Sequence, residues 1–141
     1  MVTWTTYGTW LQGDKRGYVK DGKVLPGDER ILGICKDLQK EPPVKLKKQE
    51  KAIIREAILN EAERIGQKLE ALVICTNHVH LAVRSCDKSI ERIVSMYKSV
   101  STRALQSCGQ VGSIWTKGFN KRFCFTQHDL ERKIAYVRNH E

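Results

Sequence analysis

Residues 69–84 read LEALVICTNHVHLAVR, and the architecture follows from them. LEALVIC (69–75) is a short apolar run of strand length, and HVHLAVR (78–84) alternates between two residue classes. Thr76-Asn77 between them is a turn, so the two runs form an antiparallel hairpin. Upstream, residues 45–65 predict a helix. Leu46, Ile53, Ile54, Ala57, Ile58, Ala62 and Ile65 recur at helical spacing, and Gly66 is a natural C-cap. Downstream, Asp87 or Ser89 caps a second helix with the stripe Ile90, Ile93, Val94, Tyr97, Val100, Ala104 and Leu105; Gly109 and Gly112 end it. VTWTTY (2–7) and FNKRFCFT (119–126), rich in β-branched and aromatic types, read as the outer strands.

The order is strand, helix, strand, strand, helix, strand, which is the split-βαβ arrangement of a ferredoxin-like fold. The expected class is α+β, an antiparallel sheet with two helices on one face. An extra C-terminal helix starts near Asp129 and buries Leu130, Ile134 and Val137. Residues 8–43 read as an irregular excursion, punctuated by Gly13, Gly17, Gly22, Gly27 and Gly33 and closed by Pro42-Pro43. GYVKDGKVLPGD within it suggests a hairpin turning at Asp21-Gly22. The 141 residues suit a single domain, 1–141.

The charge balance is 25 Lys+Arg against 16 Asp+Glu, net +9, which favours a polyanionic partner, above all nucleic acid. No run reaches the length of a membrane span, and MVTWTTYGTW lacks the marks of a signal peptide, so a cytoplasmic location is expected. The five cysteines, Cys35, Cys75, Cys86, Cys108 and Cys124, include no CxxC pair and read as reduced core or near-core residues. Trp4, Tyr7 and Trp10 read as packing residues.

Two patterns can carry chemistry. In Asn77-His78-Val79-His80, strand alternation puts His78 and His80 on one face and Val79 and Leu81 on the other. Two imidazoles on one strand can converge on a divalent ion; a solvated polar face is the competing reading. At the chain's end, Tyr136 and His140 are four apart, on a helical face distinct from the Leu130/Ile134/Val137 stripe. A tyrosine there can be a nucleophile beside a third metal ligand, or an ordinary amphipathic residue at a helix edge. A zinc site from Cys75, His78, His80 and Cys86 is disfavoured, because the two cysteines flank the hairpin awkwardly for one tetrahedron. An RNA-binding sheet would need aromatics on adjacent central strands, and LEALVIC has none.

TNHVHLAV (76–83), WTKGF (115–119) and LERKIAYVRNH (130–140), in this order, resemble three segments of the IS200-like single-tyrosine (Y1) HUH transposases and their REP-associated relatives. YKSVSTRAL (97–105) is similar to the family's Lys-Ser-rich second helix. The resemblance covers about 70 residues of the C-terminal half and, loosely, the first strand. It implies a prokaryotic, nucleoid-associated DNA transposase that nicks and rejoins single-stranded DNA through a 5′-phosphotyrosine. Tyr136 would be the nucleophile; His78, His80 and His140 would hold divalent Mg or Mn. No nucleotide cofactor is needed, and a homodimer acting near a DNA hairpin is expected.

Lys98, Arg103, Lys117, Lys121 and Arg122 are phosphate-contact candidates, and Trp115 and Phe119 are base-stacking candidates, Trp115 being equally a core candidate. Lys133, three before Tyr136, is a weaker candidate for activating the phenol. One departure stands out: the family carries Gln, sometimes Asn, where this chain has His140. Three imidazoles are softer than the usual set and shift preference from Mg²⁺ towards Mn²⁺ or another transition ion. The alternative is an inactive, domesticated protein that binds hairpin nucleic acid.

Overall fold

The computed structural model describes residues 1–8, 16–20, 23–38, 43–84, 86–110, 112–124 and 126–140, residues 18–20 by backbone alone. Pairing starts at β1 (Val2–Thr5), followed by the small hairpin β2 (Tyr18–Lys20) and β3 (Lys23–Leu25) and the helix α1 (Glu29–Leu38). Next come α2 (Lys48–Ile65), β4 (Leu69–Ile74), β5 (His78–Val83), α3 (Ile90–Ser107), β6 (Asn120–Lys121) and α4 (Gln127–Arg138). The main sheet has the order β4-β5-β1-β6, and every pairing in it is antiparallel. This is the ferredoxin-like order expected from the hairpin at 69–84.

The helix ends follow local chemistry. Gly66 closes α2 in the left-handed region at φ 72°, which a side chain would strain. Ser89, not Asp87, caps α3, its hydroxyl accepting from the Arg92 N–H at 3.3 Å. Thr126 caps α4 by accepting from the Asp129 N–H at 3.0 Å, which starts that helix two residues before Asp129.

Strand alternation divides the interior in two. Val2, Trp4, Leu72, Val79 and Leu81 point to one face and pack with Ile54 and Ile58 of α2 and Ile93, Val94, Tyr97 and Leu105 of α3. On the other face Ala71, Val73 and Ala82 meet Val137 of α4, with Ile134, Cys75 and Met1 at the margin. The large core fixes the sheet; the small one seats α4 over β4 and β5.

Three sequence expectations are corrected. The strand foreseen over 119–126 shrinks to β6, Asn120–Lys121, paired with Val2 and Thr3. Just past this pair the Met1 carbonyl accepts from the Arg122 N–H at 2.8 Å. Within the excursion at 8–43 the expected hairpin is present as β2–β3, but the stretch also holds a helix, α1, where irregular chain was expected. The Asp28 carboxylate caps α1, accepting from Arg30 and Ile31 N–H groups; α1 buries no residue, although Ile31, Ile34, Cys35 and Leu38 recur along it at helical spacing. Of the five cysteines Cys108 is exposed rather than near-core; the other four are half-buried, Cys86 packing against the large core and Cys75 against the small one, and no disulfide joins them. Trp10, Gly13, Asp21, Gly22 and Pro42 lie outside the described residues.

Candidate functional site

β5 carries His78 and His80 on the α4 side of the sheet, while Val79 and Leu81, both fully buried, face the large core. α4 crosses that side, and its one-turn spacing delivers Tyr136 and His140 to the two imidazoles. The His80 ring lies 4.6 Å from His78, 4.4 Å from His140 and 5.5 Å from Tyr136, centroid to centroid. His78 and His140 are 5.4 Å apart, and the Tyr136 and His140 rings are 5.0 Å apart, tilted by 41°. Four residues from two elements thus form one cluster within a single chain. His80 is its buried floor at 6% exposure, and Tyr136 is its open edge at 48%.

The imidazoles are oriented from behind. β1 pairs Thr3 with His80, and the Thr3 hydroxyl lies 2.8 Å from His80 Nδ1. His78 Nδ1 lies 2.6 Å from Asn77 Oδ1; an amide oxygen only accepts, so His78 donates through Nδ1 and keeps Nε2 as a lone-pair donor. Such outer contacts fix tautomer and ring direction in histidine metal sites. The rings are also kept neutral: burial, then repulsion from His78 and His140, pushes His80 down to about 4, and burial, then His140, lowers His78. Neutral imidazoles gathered in one cluster are suited to divalent cations, so the residues present fit a metal ion.

Closeness of donor atoms adds a residue that sequence reading had set aside. The donor atoms of Cys75, His78 and His140 all lie within 4.8 Å of one another, a group that does not include His80. Cys75 ends up beside His78 because its N–H donates to the His78 carbonyl at 2.8 Å, extending the β4–β5 ladder by one pair. Residues directly opposite in an antiparallel ladder share a face, so the two-residue turn signalled this neighbour. Cys86 packs against the large core, across the sheet, which rules out the four-residue zinc set.

The family profile described as "Transposase IS200 like" matches residues 39–140. The chain belongs to the IS200-like transposase family. It is also similar to a solved structure from Deinococcus radiodurans R1, provisionally assigned as a transposase. The two are 18% identical with a TM-score of 0.46, over 98% of this chain and 86% of that one. No curated protein matches the chain.

In this IS200-like transposase the candidate nucleic-acid contacts fall into two places. Lys98, Arg103, Lys117, Trp115 and Phe119 line one cleft of about 630 Å³ between α3 and the 112–119 segment. The Lys98 ammonium is partly committed, donating to the carbonyls of Thr116 at 2.9 Å and Gly118 at 2.5 Å; burial lowers its pKa. Trp115 is half-buried, donating from Nε1 to Ser101 Oγ at 3.0 Å and packing edge-on against Trp4 at 6.1 Å. Lys121 and Arg122 lie instead at the β6 edge, Lys121 paired with Glu91 and Arg122 exposed. Lys133 acts electrostatically on the amino group of Met1. Among the described residues no helix is long and apolar enough to cross a membrane.

Proposed function

We propose that this transposase is a metal-dependent enzyme that nicks and rejoins single-stranded DNA, with Tyr136 as nucleophile and His78, His80 and His140 as the ligand set for Mg²⁺ or Mn²⁺. The observation that carries this reading is the single cluster in which a half-exposed phenol lies beside three imidazoles. A scattered set would have offered no reacting centre.

In the forward step Tyr136 Oη bonds to a backbone phosphorus and loses its proton to solvent. The bond from phosphorus to the 3′ oxygen breaks, and that oxygen takes up a proton. The 5′ phosphate stays on the tyrosine. Reversal with another 3′ hydroxyl rejoins the strand, conserving the phosphodiester and requiring no nucleotide cofactor. A bound divalent ion offsets phosphate charge and polarises the scissile bond. Thr3 and Asn77 hold the imidazoles in register, and α4 holds the phenol above them. The basic cleft and the β6 edge supply phosphate contacts, while Phe119 and Trp115 supply ring surface for unpaired bases. A hairpin near the cleavage point and a homodimer are part of this proposal.

The test is incubation with labelled single-stranded hairpin oligonucleotides and Mg²⁺ or Mn²⁺. A covalent protein–DNA band is expected with the wild type and none with Tyr136→Phe. Absence of any adduct from a random hairpin pool with both metals overturns the proposal in favour of a binding-only protein.

A further inference from the structure

We propose that Cys75, His78 and His140 form a thiolate–imidazole site for Zn²⁺, a second metal-binding mode that competes with the Mg²⁺ or Mn²⁺ ligand set. Tetrahedral zinc, with bonds of 2.0–2.3 Å to nitrogen and sulfur, needs its donors about 3.5 Å apart. The three donor atoms, mutually within 4.8 Å, reach that spacing by small side-chain rotations. Two ligands sit opposite each other on the hairpin and the third lies two residues past the end of α4, so the ion would clip the end of that helix to the sheet. The group is open to solvent, Cys75 and His78 being half-buried and His140 the most exposed of the three.

Softness decides which metal enters. Mg²⁺ and Mn²⁺ prefer oxygen and imidazole, whereas a thiolate favours zinc. On binding, the Cys75 thiol releases its proton to solvent and the thiolate lone pair forms the sulfur–zinc bond. Zinc so held takes His78 and His140 out of the three-histidine set and leaves His80 alone beneath Tyr136. The metal site stands on the donor geometry; its inhibitory consequence rests on the proposed function.

Co²⁺ is the spectroscopic probe. The wild type is expected to give tetrahedral visible bands and a thiolate-to-cobalt charge-transfer band, both displaced by Zn²⁺. Cys75→Ser should lose the charge-transfer band and bind Zn²⁺ at least about tenfold more weakly, while its Mn²⁺-dependent adduct formation stays unchanged. His80→Gln should keep the band. Stoichiometric Zn²⁺ should suppress adduct formation in the wild type more strongly than in Cys75→Ser. A missing band in the wild type, a band surviving Cys75→Ser, or a band lost in His80→Gln with circular dichroism unchanged overturns the site. A band with no DNA adduct under any metal would sink the nicking reaction and leave the zinc site standing.

Discussion

Acidifying the metal-free protein from pH 8 to pH 5 is expected to cost about 2 kcal/mol of folding stability through His80 alone. Its imidazole titrates at about 4 in the fold, against an ordinary 6.5. The depressed value means that the folded state resists the proton that the unfolded chain accepts. The contribution is therefore complete above 6.5 and shrinks as pH falls towards the folded value. At pH 5 the unfolded imidazole is protonated by about thirty to one while the folded one stays mostly neutral, so protonation favours the unfolded chain by a factor of about thirty, which is the stated 2 kcal/mol. Carboxylates depressed by ion pairs (Glu61, Glu70 and Glu91) begin to lose their contribution only nearer 4.5, and the Met1 amino group, lowered by burial and titrating in the same window, is common to the two proteins compared below. His78, lowered in the same direction, adds to the effect. Urea unfolding at pH 8 and pH 5, for wild type and His80→Gln with chelator present, measures it. The wild type should lose about 2 kcal/mol more than the variant over this interval. Equal losses in both proteins would falsify the claim that the fold holds His80 neutral, and with it the physical reason for a ready metal ligand at neutral pH.

Two further outcomes follow from the same packing. Thr3→Val replaces the hydroxyl 2.8 Å from His80 Nδ1 with a methyl of similar shape; Mn²⁺ affinity by calorimetry should fall about 10–100-fold, and a change of less than twofold would show that Thr3 does not orient the ring. Val137→Ala removes two methyls from a fully buried position in the small core and should cost about 2 kcal/mol in urea unfolding, with a matching drop in adduct formation because α4 carries Tyr136 and leads into His140. Unchanged stability in that variant would mean that α4 is seated by other contacts.

The sheet was legible because its strands obey period two under two-sided burial. Val79 and Leu81 had to be core, so His78 and His80 had to face away, and a slip of one residue would have buried both imidazoles among Ile54, Ile58 and Tyr97. α2 and α3 were legible from their apolar stripes, although the real burial includes Glu61 and Ser101, which no hydrophobic count selects. Ser101 is inside because its hydroxyl donates to the Tyr97 carbonyl at 2.7 Å and accepts from Trp115. α1 escaped notice for another reason. Its apolar residues, Ile31, Leu32, Ile34, Cys35 and Leu38, do recur at helical spacing, but Gly33 in their midst reads as a break, and none of them is fully buried in the fold. Over 119–126 composition favoured a long strand, but strand length is set by pairing, and among the described residues only Asn120 and Lys121 pair with β1.

The site shows where reading within elements ends and assembly between them begins. A period of two gives His78 with His80, and a period near four gives Tyr136 with His140, each from its own segment. Nothing in either segment says that the two pairs meet. That depends on which side of the sheet α4 covers, and the deciding residues are the small ones, Ala71, Val73 and Ala82, which let a helix approach the strands closely enough for Val137 to seat among them. Larger side chains there would lift α4 and carry the phenol away from His80. The same approach brings His140 within reach of Cys75, a neighbour visible only once the turn at Thr76-Asn77 has fixed the register of the hairpin. Whether His140 lies nearer His80 or Cys75 is thus a property of how closely α4 packs against β4 and β5, and under the proposed function that packing would govern which ligand set a metal meets.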